Sequence, residues 1–296
     1  MLFFLLIDLL EDWNLTIKKQ AIESLGQLGS RWAGWCSTSS PAPSSLTRQE
    51  QLKLAEQIVL VLSAMWTDSN LNIIRQPVIT AIGKIVPQLP DDNTLWLEIF
   101  AKLAKNRQEI LPIRLIALDT LVKFDTDEAA ENIIDMLQST PAEIPSMELT
   151  AFHALAQLQR EVALDFLIQR LADLSARKQA WRNQRDLGQP VERWQYRQWE
   201  TELSYAIAQI APETTGIELL AHDLAEVRKG AWLAIREFGD TTIIETLIEK
   251  YQNSQPDAAH FRHAAFQAID GSLITLEVKG DQPTRFNSFA SFVAVH

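Results

Sequence analysis

One spacing of residues recurs along this chain and restricts what it can fold into. Counting from Val227, the residues Ala231, Ala234, Ile235 and Phe238 fall at offsets 4, 7, 8 and 11, which is one face of an α-helix. The template also fits Ile74, Val78, Ala81, Ile82 and Ile85, and again Ile113, Ala117, Thr120, Leu121 and Phe124. It fits Met147, Ala151, Ala154, Leu155 and Leu158, and then Trp199, Leu203, Ala206, Ile207 and Ile210. Looser matches begin at Ile17 and Phe261, which makes seven registers. Offset 7 is small in all of them (Ser24, Ala81, Thr120, Ala154, Ala206, Ala234, Ala268), and offset 8 is always Leu or Ile. A small residue lets a second helix come close, so this size rule points to helices stacked on helices.

The stretch Leu219 to Tyr251 shows the expected unit. Asp223 with Glu226 reads as a capping box opening the Val227 helix, and Gly239 stops that helix. Thr242 with Glu245 reads as a second box, opening a helix striped by Ile243, Ile244, Leu247, Ile248 and Tyr251. Two such short helices cannot bury both their faces and need neighbours of the same kind. Residues 1–272 are therefore expected to form one all-α domain, an α-solenoid of about seven helix pairs, with 273–296 a tail or truncated linker. The opening MLFFLLIDLL lacks a basic n-region and a cleavage site, so it reads as the first helix of the first repeat. Its apolar run expects a cover, which suggests a piece of a longer protein or an end that docks a partner.

Two stretches interrupt the period. Residues 36–50 are Ser/Pro-rich and read as a solvated loop inserted between registers 57 residues apart; removing its 15 residues leaves 42, an ordinary repeat length. Residues 176–200 carry six basic side chains against three acidic, with tryptophans interleaved. Trp181, Arg182, Arg193, Trp194 and Arg197 there form a candidate aromatic-basic platform for an acidic peptide, a phosphate-bearing ligand or single-stranded nucleic acid. The competing expectation, favoured here, is a lengthened helical hairpin turning at Leu187 to Pro190, its aromatics packed and its arginines solvated.

With those residues in hand, the chain resembles the HEAT-repeat family in its compact bacterial form, which also includes the phycobilisome-lyase-type repeats. The family pattern of an Asp in the turn, a hydrophobic-basic pair and an Ala four residues on is matched by Asp223, Val227-Arg228 and Ala231, and by Asp12, Ile17-Lys18 and Ala21. Asp68 and Ile74-Arg75 match it with Val78 in the Ala position, while Ile113-Arg114 and Phe261-Arg262 carry the pair with Ala117 and Ala265. Met147-Glu148 and Trp199-Glu200 place an acid where the family has a base, which interrupts a continuous Asp/Arg ladder. The resemblance spans most of Leu9 to Ser272. It implies an armadillo-like superhelix whose second helices line a concave face.

The formal net charge of -11 argues against nonspecific nucleic-acid binding and against an anionic membrane surface. One cysteine, Cys36, excludes an internal disulfide and Cys-based zinc sites and fits a reducing, cytoplasmic setting. No phosphate loop, H-E-x-x-H or G-x-S-x-G motif is present, so no catalytic residue and no cofactor is expected. Asp257, His260 and His263 have a metal-ligand spacing along one helix face, but Asp257 reads more simply as an N-cap and the histidines as surface residues.

Surface remains. Offsets 2 and 6 lie opposite the buried stripe, on the expected concave side, and there Leu115, Leu149, Tyr205 and Leu233 are apolar, with His153 and Lys229 beside them in the pattern. The expectation is a non-catalytic scaffold or sensor module that binds a protein or peptide on this face, within a larger multidomain protein carrying an NTPase or effector domain. The resemblance offers two further readings: a phycobilin lyase-like or chaperone factor acting on phycobiliproteins, and a nucleic-acid-binding HEAT-like protein of the glycosylase type. The second sits badly with the acidic charge.

Overall fold

A computed structural model describes residues 2–35, 46–68, 72–90, 93–139, 145–183, 193–254 and 258–279. Among them every regular element is helical. In chain order these are α1 (Leu2–Asp8), α2 (Leu15–Trp35), α3 (Arg48–Asp68), α4 (Asn72–Ile85), α5 (Thr94–Lys105), α6 (Leu111–Phe124) and α7 (Asp127–Ser139). They continue as α8 (Pro145–Leu158), α9 (Glu161–Asn183), α10 (Arg193–Ile210), the single turn α11 (Ile217–Leu219), α12 (Ala225–Phe238), α13 (Thr241–Asn253) and α14 (Ala259–Lys279). The fold is all-α, and no helix among the described residues is long and apolar enough to cross a membrane. The helices gather into two compact units, Met1–Glu143 and Ile144–His296.

In the first unit α2 lies against α3 and α4, α4 against α6, and α5 against α6 and α7. The template positions Ala21, Leu25, Ile74, Val78, Ala81, Ile82, Ile113, Ala117 and Leu121 are buried, and so is Thr120, whose hydroxyl donates to the Ile116 carbonyl at 2.8 Å. Offset 5, absent from the template, is buried as well in Ile22, Ile79 and Leu118. The tightest approaches explain the size rule. A Cβ built on Gly26 would stand 2.7 Å from the Ala81 Cβ, and one on Gly83 would collide with Thr120. At these two joints offset 9 of one register faces offset 7 of the next, and both must be small for the helices to meet.

The second unit also depends on small residues, at other offsets as well. There α10 lies against α8, α9 and α12, α12 against α14, and α13 against α14. Offset 9 is Ala156 in α8 and Ala208 in α10, both fully buried. Gly230 brings α12 onto the backbone of α10, where its missing Cβ leaves room for Thr201, Ser204 and Tyr205. The stretch Leu219 to Tyr251 is therefore not self-contained: α12 is sandwiched between α10 and α14, and α13 rests on the helix that follows it.

Several local expectations change. No side chain caps α12; Leu224 is its N-cap residue, and the Leu224 amide donates to His222 Nδ1 at 3.1 Å. Asp223 instead offers its carbonyl to Arg228, which also reaches the His222 carbonyl, and Glu226 pairs with Arg197 at 3.2 Å. For α13 the cap is Asp240, whose carboxylate accepts from the Ile243 amide at 2.9 Å, so the helix opens one residue before Thr242. The inserted loop ends earlier than position 50, because Thr47 and Glu50 form a reciprocal capping box that launches α3. Gly239 does stop α12, and α1 is the expected opening helix, with Leu2, Phe4 and Leu5 exposed. At the other end α14 continues past Ser272 to Lys279.

The basic residue at offset 1 takes different kinds of partner in different registers. Arg75 makes a two-pronged pair with Glu109, at 2.7 and 3.2 Å, while its guanidinium lies 4.4 Å from the Trp66 ring centroid. Arg114, buried, donates its Nε–H to the Ala104 carbonyl at 3.0 Å, and Arg228 takes the carbonyls of His222 and Asp223. In the last two cases the guanidinium satisfies carbonyls left over where the preceding segment ends. Glu148 reverses the charge and keeps the bond, accepting from Arg170 of α9 at 2.6 Å.

Candidate functional site

Three helices of the second unit, α8, α10 and α12, lie side by side and carry five of the six residues expected on the binding face. Leu149 and His153 are one helical turn apart on α8, and Lys229 and Leu233 are one turn apart on α12. Tyr205 lies between them on α10. Leu149, His153, Tyr205 and Leu233 are half-buried and Lys229 is exposed. Leu115 is half-buried on α6, in the first unit.

Tyr205 is the centre of the arrangement. Its ring meets His153 edge-on at 5.9 Å between centroids and Phe238 at 6.0 Å, with interplanar angles of 66° and 71°. Its hydroxyl donates to Glu237 Oε2 at 2.6 Å, and His153 Nε2 lies 3.0 Å from Glu202 Oε2. Edge-to-face pairs at these separations add of order 0.5–1.5 kcal/mol each beyond their burial. A continuous row of three rings therefore runs across α8, α10 and α12, flanked by two carboxylates. The close passage of α12 over α10 at Gly230 helps bring the Phe238 end of the row within reach of Tyr205.

Burial pushes the Tyr205 phenol well above its ordinary value, and its bond to Glu237 and the nearby charges of Glu237 and Glu202 push it further. At neutral pH it is a hydrogen-bond donor with an apolar body, suited to recognition and not to attack as a phenolate.

Glu202, Glu237 and Phe238 were not expected in the site. Glu237 was within reach of the pattern, because it continues the stripe of Lys229 and Leu233 by one more turn. Phe238 was expected in the buried stripe at offset 11; it is 42% exposed because the helix ends there and its ring turns onto Tyr205. Ile17, at the other limit of the repeat series, is likewise exposed at 39%.

In the aromatic-basic stretch, α9 runs to Asn183 and α10 begins at Arg193, so helix enters from both sides of the expected hairpin. The turn at Leu187 to Pro190 and the side chains of Trp181, Arg182, Arg193 and Trp194 lie outside the described residues. Arg197 is described, and its guanidinium is engaged by Glu226. For the metal candidate, Asp257 lies outside the described residues, while His260 and His263 are both exposed on α14. Among the described residues no group of three or more His, Cys, Asp and Glu side chains is gathered as a metal site.

No family model matches the chain, and no curated protein does. Among solved structures it is similar to two crystal structures of engineered proteins. One is 16% identical, with 92% of this chain and 96% of that chain covered and a TM-score of 0.36. The other is 15% identical, covers 91% and 88%, and has a TM-score of 0.26. Likeness at that level carries no weight for fold or function.

Proposed function

We propose that the chain is a HEAT-like α-solenoid acting as a non-catalytic interaction scaffold or sensor module, and that it binds a protein or peptide on the face formed by α8, α10 and α12. The observation that carries this is the half-open row of His153, Tyr205 and Phe238 across three successive helices. Aromatic side chains that are partly desolvated and held by their neighbours lose little entropy on binding and are favoured contact anchors. Leu149 and Leu233 widen the apolar area on either side of the row, while Lys229 marks a polar rim. The offset-9-to-offset-7 contact, which recurs within the first unit, supports the solenoid reading, since it is the joint that lets one repeat stack on the next.

The reading is tested by affinity capture from native extract with three full-length baits: wild type, Tyr205→Ala/Leu233→Glu, and Trp194→Ala/Arg197→Ala. Loss of a partner with the first pair alone is the expected result. Loss with the second alone moves the site to the aromatic-basic segment, and capture unaffected by either refutes both surfaces.

A further inference from the structure

We propose that the Tyr205 face recognises a cationic side chain, lysine or arginine, in a basic segment of a partner protein. This rests on the reading of that face as a protein-binding surface and names the chemistry of what it binds.

Carboxylates and ring faces dominate the electrostatics around Tyr205, with His153 and exposed Lys229 the basic groups on the face. The faces of the Tyr205 and Phe238 rings are negative by their quadrupoles, and the row carries a carboxylate on the Tyr205 hydroxyl, from Glu237, and another on His153, from Glu202. Each carboxylate uses Oε2 on a ring partner, Glu237 on the Tyr205 hydroxyl and Glu202 on His153. A carboxylate has about four acceptor positions, so most of this capacity remains.

The contrast lies in what neutralises other carboxylates of the same fold. Glu109 has Arg75, Glu148 has Arg170, and Glu226 has Arg197. Glu202 and Glu237 have no lysine or arginine within ion-pair distance among the described residues, and exposed Lys229, on the stripe of Glu237, pairs with neither. Glu237 thus holds the phenol and Glu202 holds His153, neither with a guanidinium or ammonium to balance it among the described residues. Of the side chains a partner could insert, a cation gains from both carboxylates and from the ring faces, an acidic one is repelled, and a purely aliphatic one uses only the apolar area. The protein's charge of -11 favours the approach of a basic segment from a distance.

The probe is a phage-displayed random dodecapeptide library selected on the full-length chain, followed by anisotropy of the enriched peptides against three proteins. These are wild type, Glu202→Gln/Glu237→Gln, and Tyr205→Ala/Leu233→Glu, each checked for a wild-type helical spectrum. Glutamine keeps an acceptor for the phenol, so the first pair removes charge and little else. The expected result is enrichment of Lys or Arg, affinity lowered roughly tenfold by the Gln pair, and binding weakened by salt. Peptides without basic bias that depend on Tyr205 and Leu233 but not on the carboxylates would overturn the cation assignment and leave the binding face standing. Peptides indifferent to both variants, or no enrichment at all, would overturn both.

Discussion

The joint between repeats predicts the outcome of a substitution that helix propensity alone would get wrong. Gly26 sits inside α2, where alanine is favoured over glycine by about 1 kcal/mol. Against that gain, the new Cβ would lie 2.7 Å from the Ala81 Cβ and 2.9 Å from the Ala81 Cα. Carbon pairs settle at roughly 3.5–4.0 Å, so α2 and α4 must part by about 1 Å, and a gap of that size forfeits a quarter to a half of each facing contact. Both neighbours are fully or almost fully buried, with backbone as the obstacle, so the upper part of the roughly 1–3 kcal/mol range for overpacking applies. Gly26→Ala should therefore be destabilised by about 1–2 kcal/mol, which at ~2–4 °C per kcal/mol lowers the melting temperature by roughly 5 °C. Thermal unfolding followed by circular dichroism measures this directly. Gly34→Ala on the same helix is the control, since its Cβ would meet only the Gln88 side-chain amide and no backbone; moving that amide disturbs its exposed bonds to Ser30 Oγ and the Lys84 carbonyl, which offsets the helix-propensity gain, so its melting temperature should fall less than that of Gly26→Ala. In the Gly26→Ala background, Ala81→Gly should cost less than it does alone, by about 1 kcal/mol of coupling. A Gly26→Ala protein more stable than wild type would refute the close approach of α2 and α4, and with it the account of why Gly26 and Ala81 are small.

Two titrations probe the second unit. Tyr205 should ionise above the ordinary tyrosine range, because its folded pKa is raised; the stability it contributes is present below that range and is lost as pH rises through the folded value. Tyrosinate absorbance should show one late phenol that vanishes in Tyr205→Phe and shifts downward in Glu237→Gln, and no change in Glu237→Gln would dissociate the two groups. His222 behaves in the opposite sense: burial lowers its pKa, and its Nδ1 accepts from the Leu224 amide, which only the neutral ring can do. Its contribution is present above the unfolded histidine value and is lost as pH falls through the folded one, so melting temperature should drop on acidification below about pH 6.5. His222→Asn, which keeps an acceptor, should flatten that slope, and an identical slope would assign the effect to another group.

The buried stripe was legible because helical geometry repeats it. Ile82, Leu121, Leu155, Ile207 and Ile235 all occupy offset 8 and all are buried, since a strip shared between neighbouring helices imposes one period on every repeat. Offset 9 escaped notice because its requirement is for absence: Gly26 and Gly83 matter through what they leave out, and a hydrophobic template does not score a missing Cβ. The caps were misplaced for a related reason. Several short polar side chains crowd each turn, and backbone direction decides among them, which is how Asp240 rather than Thr242 comes to cap α13. Arg228 closes the turn before α12 through carbonyls, which every residue has, so no side-chain pattern could announce it.

The binding face was half legible for a physical reason that bears on its chemistry. Tyr205, Leu149 and Leu233 stand out as apolar residues on the side away from the core, whereas Glu202 and Glu237 look like ordinary solvated helix positions. Only the packing of α8, α10 and α12 shows that Glu237 holds the phenol, that Glu202 holds His153 beside it, and that Phe238 completes the row instead of entering the core. An isolated surface glutamate costs nothing to maintain, so its presence in a sequence carries no information. Two glutamates that raise a neighbouring phenol's pKa, in a fold that matches Glu109, Glu148 and Glu226 with arginines, mark a local excess of negative charge. A bound cation would remove that excess, so binding should lower the Tyr205 pKa at the same time, and the phenol thereby becomes a spectroscopic reporter of whether the partner's charge has arrived.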